Sequence, residues 1–337
     1  MKVFIAYLLV FLLAGCAATA KSRTAQPPNG GPTLKLIQTI PLSDVEGRID
    51  HLSVDIKDQR LFIAALGNNT VEVLDLKTRS VVHTISDLSE PQSALFVPSF
   101  NKIFVTNGGN GVCQIFDGSS FAEIGRVELS SDADNIRYDS NSNSVVIGYG
   151  DGGVSFIDAA SGKEVSNIKL AGHPESFQLE SLGSKVFVNI PSTNQIAVVD
   201  RKQGKVASTW FMTSALANFP MALDESQHRL FVGFRAPAKL IVFDTETGKS
   251  VAGFDSIGDV DDVFYDAVHK LVFVIGGEGY IELFSQQDVD HYRSLGRIST
   301  ADGARTGLWV PEWNRLYVAV SHKGNQQAEI RVYDLQP

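Results

Sequence analysis

The stretch Leu61-Phe-Ile-Ala-Ala-Leu-Gly-Asn-Asn-Thr-Val-Glu-Val-Leu-Asp75 decides how this chain is read, because it recurs. Its first four residues return as Ile103-Phe-Val-Thr, Val145-Val-Ile-Gly, Val186-Phe-Val-Asn, Leu230-Phe-Val-Gly, Val272-Phe-Val-Ile and Leu316-Tyr-Val-Ala, at spacings of 42, 42, 41, 44, 42 and 44 residues. Short β-branched and aromatic runs of this kind read as strands. Each is followed by Gly, Asn or Pro and then by a second apolar run ending in Asp, at Asp75, Asp117, Asp158, Asp200, Asp244 and Asp334. The sixth copy departs, with Ser285 in that place. Turn residues then lead to a further short strand, such as Val81-Val-His-Thr-Ile85, and another apolar segment, such as Leu52-Ser-Val-Asp55, precedes each main run. No helical period runs through these windows.

Four short strands in about 42 residues, repeated seven times, predict an all-β chain: a seven-bladed β-propeller with four-stranded antiparallel blades. Copy seven stops after its third strand, at Tyr333-Asp334-Leu335, while Leu34-Lys-Leu-Ile-Gln-Thr-Ile40 precedes copy one with no partner of its own. The N-terminal segment is therefore expected to close the last blade as its outer strand, which removes an exposed edge.

The strand, Asn/Gly loop, Val-x-Val strand and Asp of Leu61–Asp75, with their copies, resemble the YVTN-type seven-bladed propellers, which include YncE-like exported proteins. The resemblance covers Leu34 to Pro337. It implies the fold and, more weakly, a binding or scaffold role, since members are described as binding proteins more often than as enzymes.

The N-terminus supplies an address. Lys2 and the eleven apolar residues Val3 to Leu13 read as a secretory signal, too short to span a bilayer. Leu13-Ala14-Gly15-Cys16 resembles the lipobox of bacterial lipoproteins, which implies acylation of Cys16 and cleavage before it. Ala17 to Pro32 is small, polar and rich in Pro and Gly, as a tether is. The expected division is a signal over residues 1–15, a tether over 16–33 and the propeller over 34–337. The protein is then a monomer of the bacterial cell envelope, facing the periplasm or the surface, with the membrane as its partner through lipidated Cys16.

Composition agrees with one large globular domain. Of the 337 residues 44% are hydrophobic, and 38 acidic against 29 basic side chains leave a formal charge of −9, which disfavours nucleic acid as a partner. With Cys16 acylated, Cys113 is left unpaired; it stands where sibling segments carry Val, Ile or Leu and is expected to be a buried apolar residue.

Several motifs fail on context. Gly148-Tyr-Gly150-Asp-Gly-Gly153 fits a dinucleotide pattern but is followed by a strand, not a helix, and reads as an interstrand loop. Asp139-Ser-Asn141-Ser-Asn143 begins like a calcium loop but lacks the required Gly and closing Glu, and reads as a tight turn. His228 and His269 occupy matching turns in copies five and six.

Aligned on their inner strands, the copies place Leu52, Leu95, Ile136, Phe177, Met221, Val263 and Leu308 in one packed column. Two residues earlier stand Asp50, Ser93, Asp134, Glu175, Phe219, Asp261 and Thr306, four of them carboxylates. His51, Asn135, Ser176 and Asp262 adjoin these, with Arg305 close by. The candidate ligand site at the channel mouth is thus Asp50, His51, Asp134, Asn135, Glu175, Asp261, Asp262 and Arg305. Asp50, Asp134, Glu175 and Asp261 are its candidate metal ligands, and oxygen donors favour Ca²⁺ or Mg²⁺. The structural alternative is that each carboxylate accepts backbone N–H bonds in its own turn. Loops after the second strands, among them Asn68, Asn110 and Arg235, share this face, and Trp309 is expected to pack between blades.

The leading expectation is a non-catalytic binding or scaffold protein for an envelope protein, a glycan or a small polar ligand. The first rival is a metal-dependent lactonase or esterase similar to the gluconolactonase and senescence-marker propellers, though those are six-bladed. The second is single-strand DNA binding, suggested by YncE-like propellers and opposed by the acidic charge.

Overall fold

A computed structural model describes residues 31–336; Cys16, the signal and most of the tether lie outside the described residues. Twenty-eight strands form seven four-stranded antiparallel sheets, arranged as the blades of a propeller. The innermost strands are Leu52–Asp55, Pro91–Val97, Ala133–Asp139, Phe177–Leu179, Leu216–Asp224, Val260–Asp266 and Gly307–Val310, and together they line an axial cavity. Among the described residues there is no α-helix.

The repeated residues explain the architecture. The main runs are buried on both faces, and the aromatic at their second position (Phe62, Phe104, Phe187, Phe231, Phe273, Tyr317) is among the most enclosed side chains of the molecule. Burial on both faces is what neighbouring blades impose on a central strand. The buried apolar side chains divide into seven clusters, one for each interface between consecutive blades. The recurring Asp accounts for the outer turn. Asp75, Asp117, Asp200 and Asp244 each accept two backbone N–H bonds from the residues two and three further on. These bonds help hold the carboxyls of all four below the usual range; burial opposes in each, most in Asp244, where the Thr247 hydroxyl adds to the lowering. In blade six, where Ser285 replaces the Asp, Asp288 takes over and accepts from Asp290 and His291.

The ring closes as expected. Thr33–Pro41 pairs antiparallel with Glu329–Gln336, from Thr33 opposite Gln336 to Pro41 opposite Glu329, with one irregularity at Leu36–Gln38. Ile40 and Ile330 face each other in the cluster between blades seven and one. Cys113 is fully buried, as its place among apolar siblings requires, and burial pushes its thiol up to about 12. Residues 139–143 form a turn, with Asp139 accepting from the Asn141 N–H and Asn143 at φ 52°, and 148–153 joins two strands.

Candidate functional site

Every inner strand begins with the same irregularity. In blade one, the Asp50 N–H donates to the Ala64 carbonyl at 2.8 Å and the Ala64 N–H returns to the His51 carbonyl at 3.2 Å, so two residues face one. Glu175-Ser176 face Asn189 in the same way in blade four. Register shifts put Gln92, Asp134-Asn135, Phe219-Pro220 and Asp261 in equivalent bulges. In blade seven the Ala319 N–H meets the Thr306 carbonyl. A bulge leaves its extra residue outside the ladder and re-aims the side chain. Here it turns Asp50, Gln92, Asp134, Glu175, Phe219, Asp261 and Arg305 into one cavity of about 290 Å³ at the channel mouth.

This ring corrects the alignment at two places. Ser93 and Thr306 are the second residues of their bulges and lie buried outside the mouth cavity; Gln92 and Arg305 stand in the ring instead. The cause is visible one column on. Ala94, not Leu95, pairs with Val105, and Gly307, not Leu308, pairs with Val318. A Cβ on Gly307 would meet the Tyr317 carbonyl oxygen at 2.6 Å, so the packed column in blade seven has no room for a side chain. The same shift moves Phe96 and Trp309 out of the column that holds Ser53 and Arg137. Trp309 packs between blades six and seven, 4.7 Å from the ring of Phe273.

The charges at the mouth are sorted. On one wall, Arg235 donates to Asp261 at 2.6 Å and its guanidinium lies 3.6 Å from the centre of the Phe219 ring. Arg305 is 3.0 Å from both Asp261 and Asp259, and Arg48 donates to Asp50 at 2.8 Å. On the opposite wall, built by blades three and four, stand Asp132, Asp134, His173 and Glu175. His173 Nδ1 lies 2.7 Å from the Gly150 carbonyl oxygen, and Nε2 is 3.6 Å from Asp134. Gln92 donates to Asp132 at 2.8 Å. Between the walls, His51 lies 3.7 Å from Asp262 and 3.8 Å from Asp50, and Asn135 donates to the Glu175 carbonyl.

Among the described residues none donates a backbone N–H to the Asp50, Asp134, Glu175 or Asp261 carboxylate, so the structural alternative of local turn bonding does not describe them. Asp262 accepts one, from Gly307 of blade seven at 2.8 Å, across the blade interface and not within its own turn. Burial pushes Asp50 up to about 6, against His51 and Arg48, and raises Asp261 against the pull of Arg235. Burial and the nearby Asp134 push Glu175 up to about 7. Burial alone would lower both histidines. The Asp262 and Asp50 carboxylates nevertheless raise His51 to about 10, and Asp134 with the Gly150 carbonyl raises His173 to about 9.

All eight sequence-derived site residues gather around this end of the channel. Asp262 looks into the axial cavity below the ring, and the other seven line the mouth. The axial cavity, about 310 Å³, also holds Arg137, whose guanidinium donates to the Ile136 carbonyl and lies 5.7 Å from the Phe177 ring centre. Sequence reasoning missed Arg48, Gln92, Asp132 and His173. The signal for them exists: each ring residue stands eleven positions before its main run, and Arg48, Asp132, His173 and Asp259 stand thirteen before theirs.

Comparison with known proteins adds the fold and no more. No protein-family profile matches the chain, and no curated protein does. Many solved chains share its architecture. One chain from a crystal structure of the mitotic checkpoint complex aligns with a TM-score of 0.76 at 13% identity, over 100% of this chain and 99% of that one. The protein is a seven-bladed β-propeller, an architecture that hosts many unrelated functions.

Proposed function

We propose that this chain is an exported, lipid-anchored cell-envelope propeller of the YVTN type that binds a small dipolar ligand at its channel mouth without catalysis. The observation that carries the reading is one polar cavity with three arginines (Arg48, Arg235, Arg305) on one side, paired with Asp50, Asp259 and Asp261, and a carboxylate–imidazole wall (Asp132, Asp134, His173, Glu175) on the other. A ligand with an anionic and a cationic or hydrogen-donating end matches both walls at once. The acidic total supports this over nucleic acid. Cys16, in its lipobox-like setting, supports the address.

A thermal-shift and calorimetric panel of amino acids, diamines, dicarboxylates and sugars tests the site. A ligand present at 100 times its Kd should stabilise the protein by about 2.7 kcal/mol. Arg305→Gln should weaken that ligand at least tenfold, through loss of a charge-assisted contact. The reading falls if no small molecule stabilises the protein, or if Arg305→Gln binds the active ligand unchanged. For the anchor, radiolabelled palmitate should enter the chain in a bacterial host but not Cys16→Ala, which should shift to the soluble fraction; label retained by the variant refutes acylation there.

A further inference from the structure

We propose that the carboxylate–imidazole wall is a site for a divalent cation of the borderline class, Zn²⁺ foremost, ligated by Asp134, His173 and Glu175. The inference rests on the mouth being a ligand site and names the group through which the ligand is held. One donor atom from each of the three side chains falls within 4.8 Å of the other two. Asp134 comes from the bulge of blade three, while His173 and Glu175 stand two residues apart in the segment that enters blade four.

His173 is oriented as ligating imidazoles are. Its Nδ1 donates to the Gly150 carbonyl at 2.7 Å, which leaves Nε2 to face Asp134 Oδ2 at 3.6 Å. A hydrogen bond at the far ring nitrogen fixes the tautomer and raises the basicity of the near one. A second observation is independent of the three ligands. Asp50 Oδ1 and Asn135 Oδ1, on residues 1% and 3% exposed, line the same cavity with no hydrogen-bond partner. Both are acceptors that water bound to a cation on the facing wall would satisfy, without joining its protein ligands.

The donor set selects the metal. Asp50 and Asp261 are already held by Arg48 and Arg235 at 2.8 and 2.6 Å, which removes two of the four carboxylates an all-oxygen site would use. What remains is one imidazole nitrogen with two carboxylates, a set that suits Zn²⁺ better than Ca²⁺ or Mg²⁺. Three protein ligands leave coordination positions open toward a cavity whose far wall carries Arg235 and Arg305. The ligand would then meet a guanidinium with its anionic end and the cation with a neutral amine or hydroxyl donor at the other.

The test uses the full mature protein, stripped with a chelator and titrated with Zn²⁺ by calorimetry and with Co²⁺ by visible absorption. A single equivalent should bind, with Co²⁺ bands showing nitrogen–oxygen ligation. His173→Gln should weaken Zn²⁺ at least tenfold and abolish the bands, and Glu175→Gln gives a second route if that variant folds poorly. His291→Gln, which removes an exposed imidazole paired with Asp288, should change nothing. Zn²⁺ binding that survives His173→Gln, that Ca²⁺ matches in affinity, or that never reaches one equivalent overturns the proposal. Small-molecule binding by the metal-free protein would show that the mouth is a ligand site even where the cation fails.

Discussion

Cys113 and His173 mark the two ends of what single residues disclose. Cys113 fills a position where neighbouring copies carry aliphatic side chains, and the repeat alone placed it in the core. Burial raises its thiol to about 12, well above the usual range. In Cys16→Ala, where it is the sole thiol, Cys113 should resist a disulfide reagent at pH 8 in the native protein and react within minutes once unfolded. Above pH 9 the unfolded thiol ionises while the native one keeps its proton, so this group lowers stability as pH rises from about 9 toward 12. Rapid native labelling would show that the second blade opens locally. His173, by contrast, lies in a loop with no repeat partner of its own type. Its meaning comes from Gly150, Asp134 and Glu175, which only the folded chain brings near.

Among the elements, the inner-strand bulge and the closing strand differ in how openly they were written. The closing strand was legible from a count: one strand missing at the end, one spare at the start. Its contribution is testable at Ile40, which is 1% exposed and packs between blades seven and one. Ile40→Ala should cost about 3 kcal/mol in denaturant unfolding, as buried Ile truncations do. A cost below about 1 kcal/mol would mean that the seam adds little to the fold. The bulge was not legible by matching large apolar residues, because copies two and seven place Ala94 and Gly307 where a Leu was sought. Steric room, not hydrophobicity, sets that column in blade seven, and the constant offset of eleven residues from the main run was the better ruler.

For the whole molecule, seven-fold repetition made the architecture readable, since each blade must bury its faces against the next. The same repetition obscured the site. Function in a ring resides where the copies differ, and a residue such as Phe219 or Arg305 looks like noise until all seven equivalents are seen together at the mouth. The acidic total of −9 likewise hid a site with three arginines.

The strand pairing between Thr33–Pro41 and Glu329–Gln336 also fixes an order of events. Its partners are separated by roughly 300 residues, and joining the ends of so long a loop costs only about 5 kcal/mol by the logarithmic law. The greater cost is time. The earliest strand to be synthesised must wait, unpaired, for the last, and its edge stays open to foreign strands until translation is finished. A chain cut short before Glu329 lacks the strand that pairs with Thr33–Pro41, and that edge then has no partner to cover it.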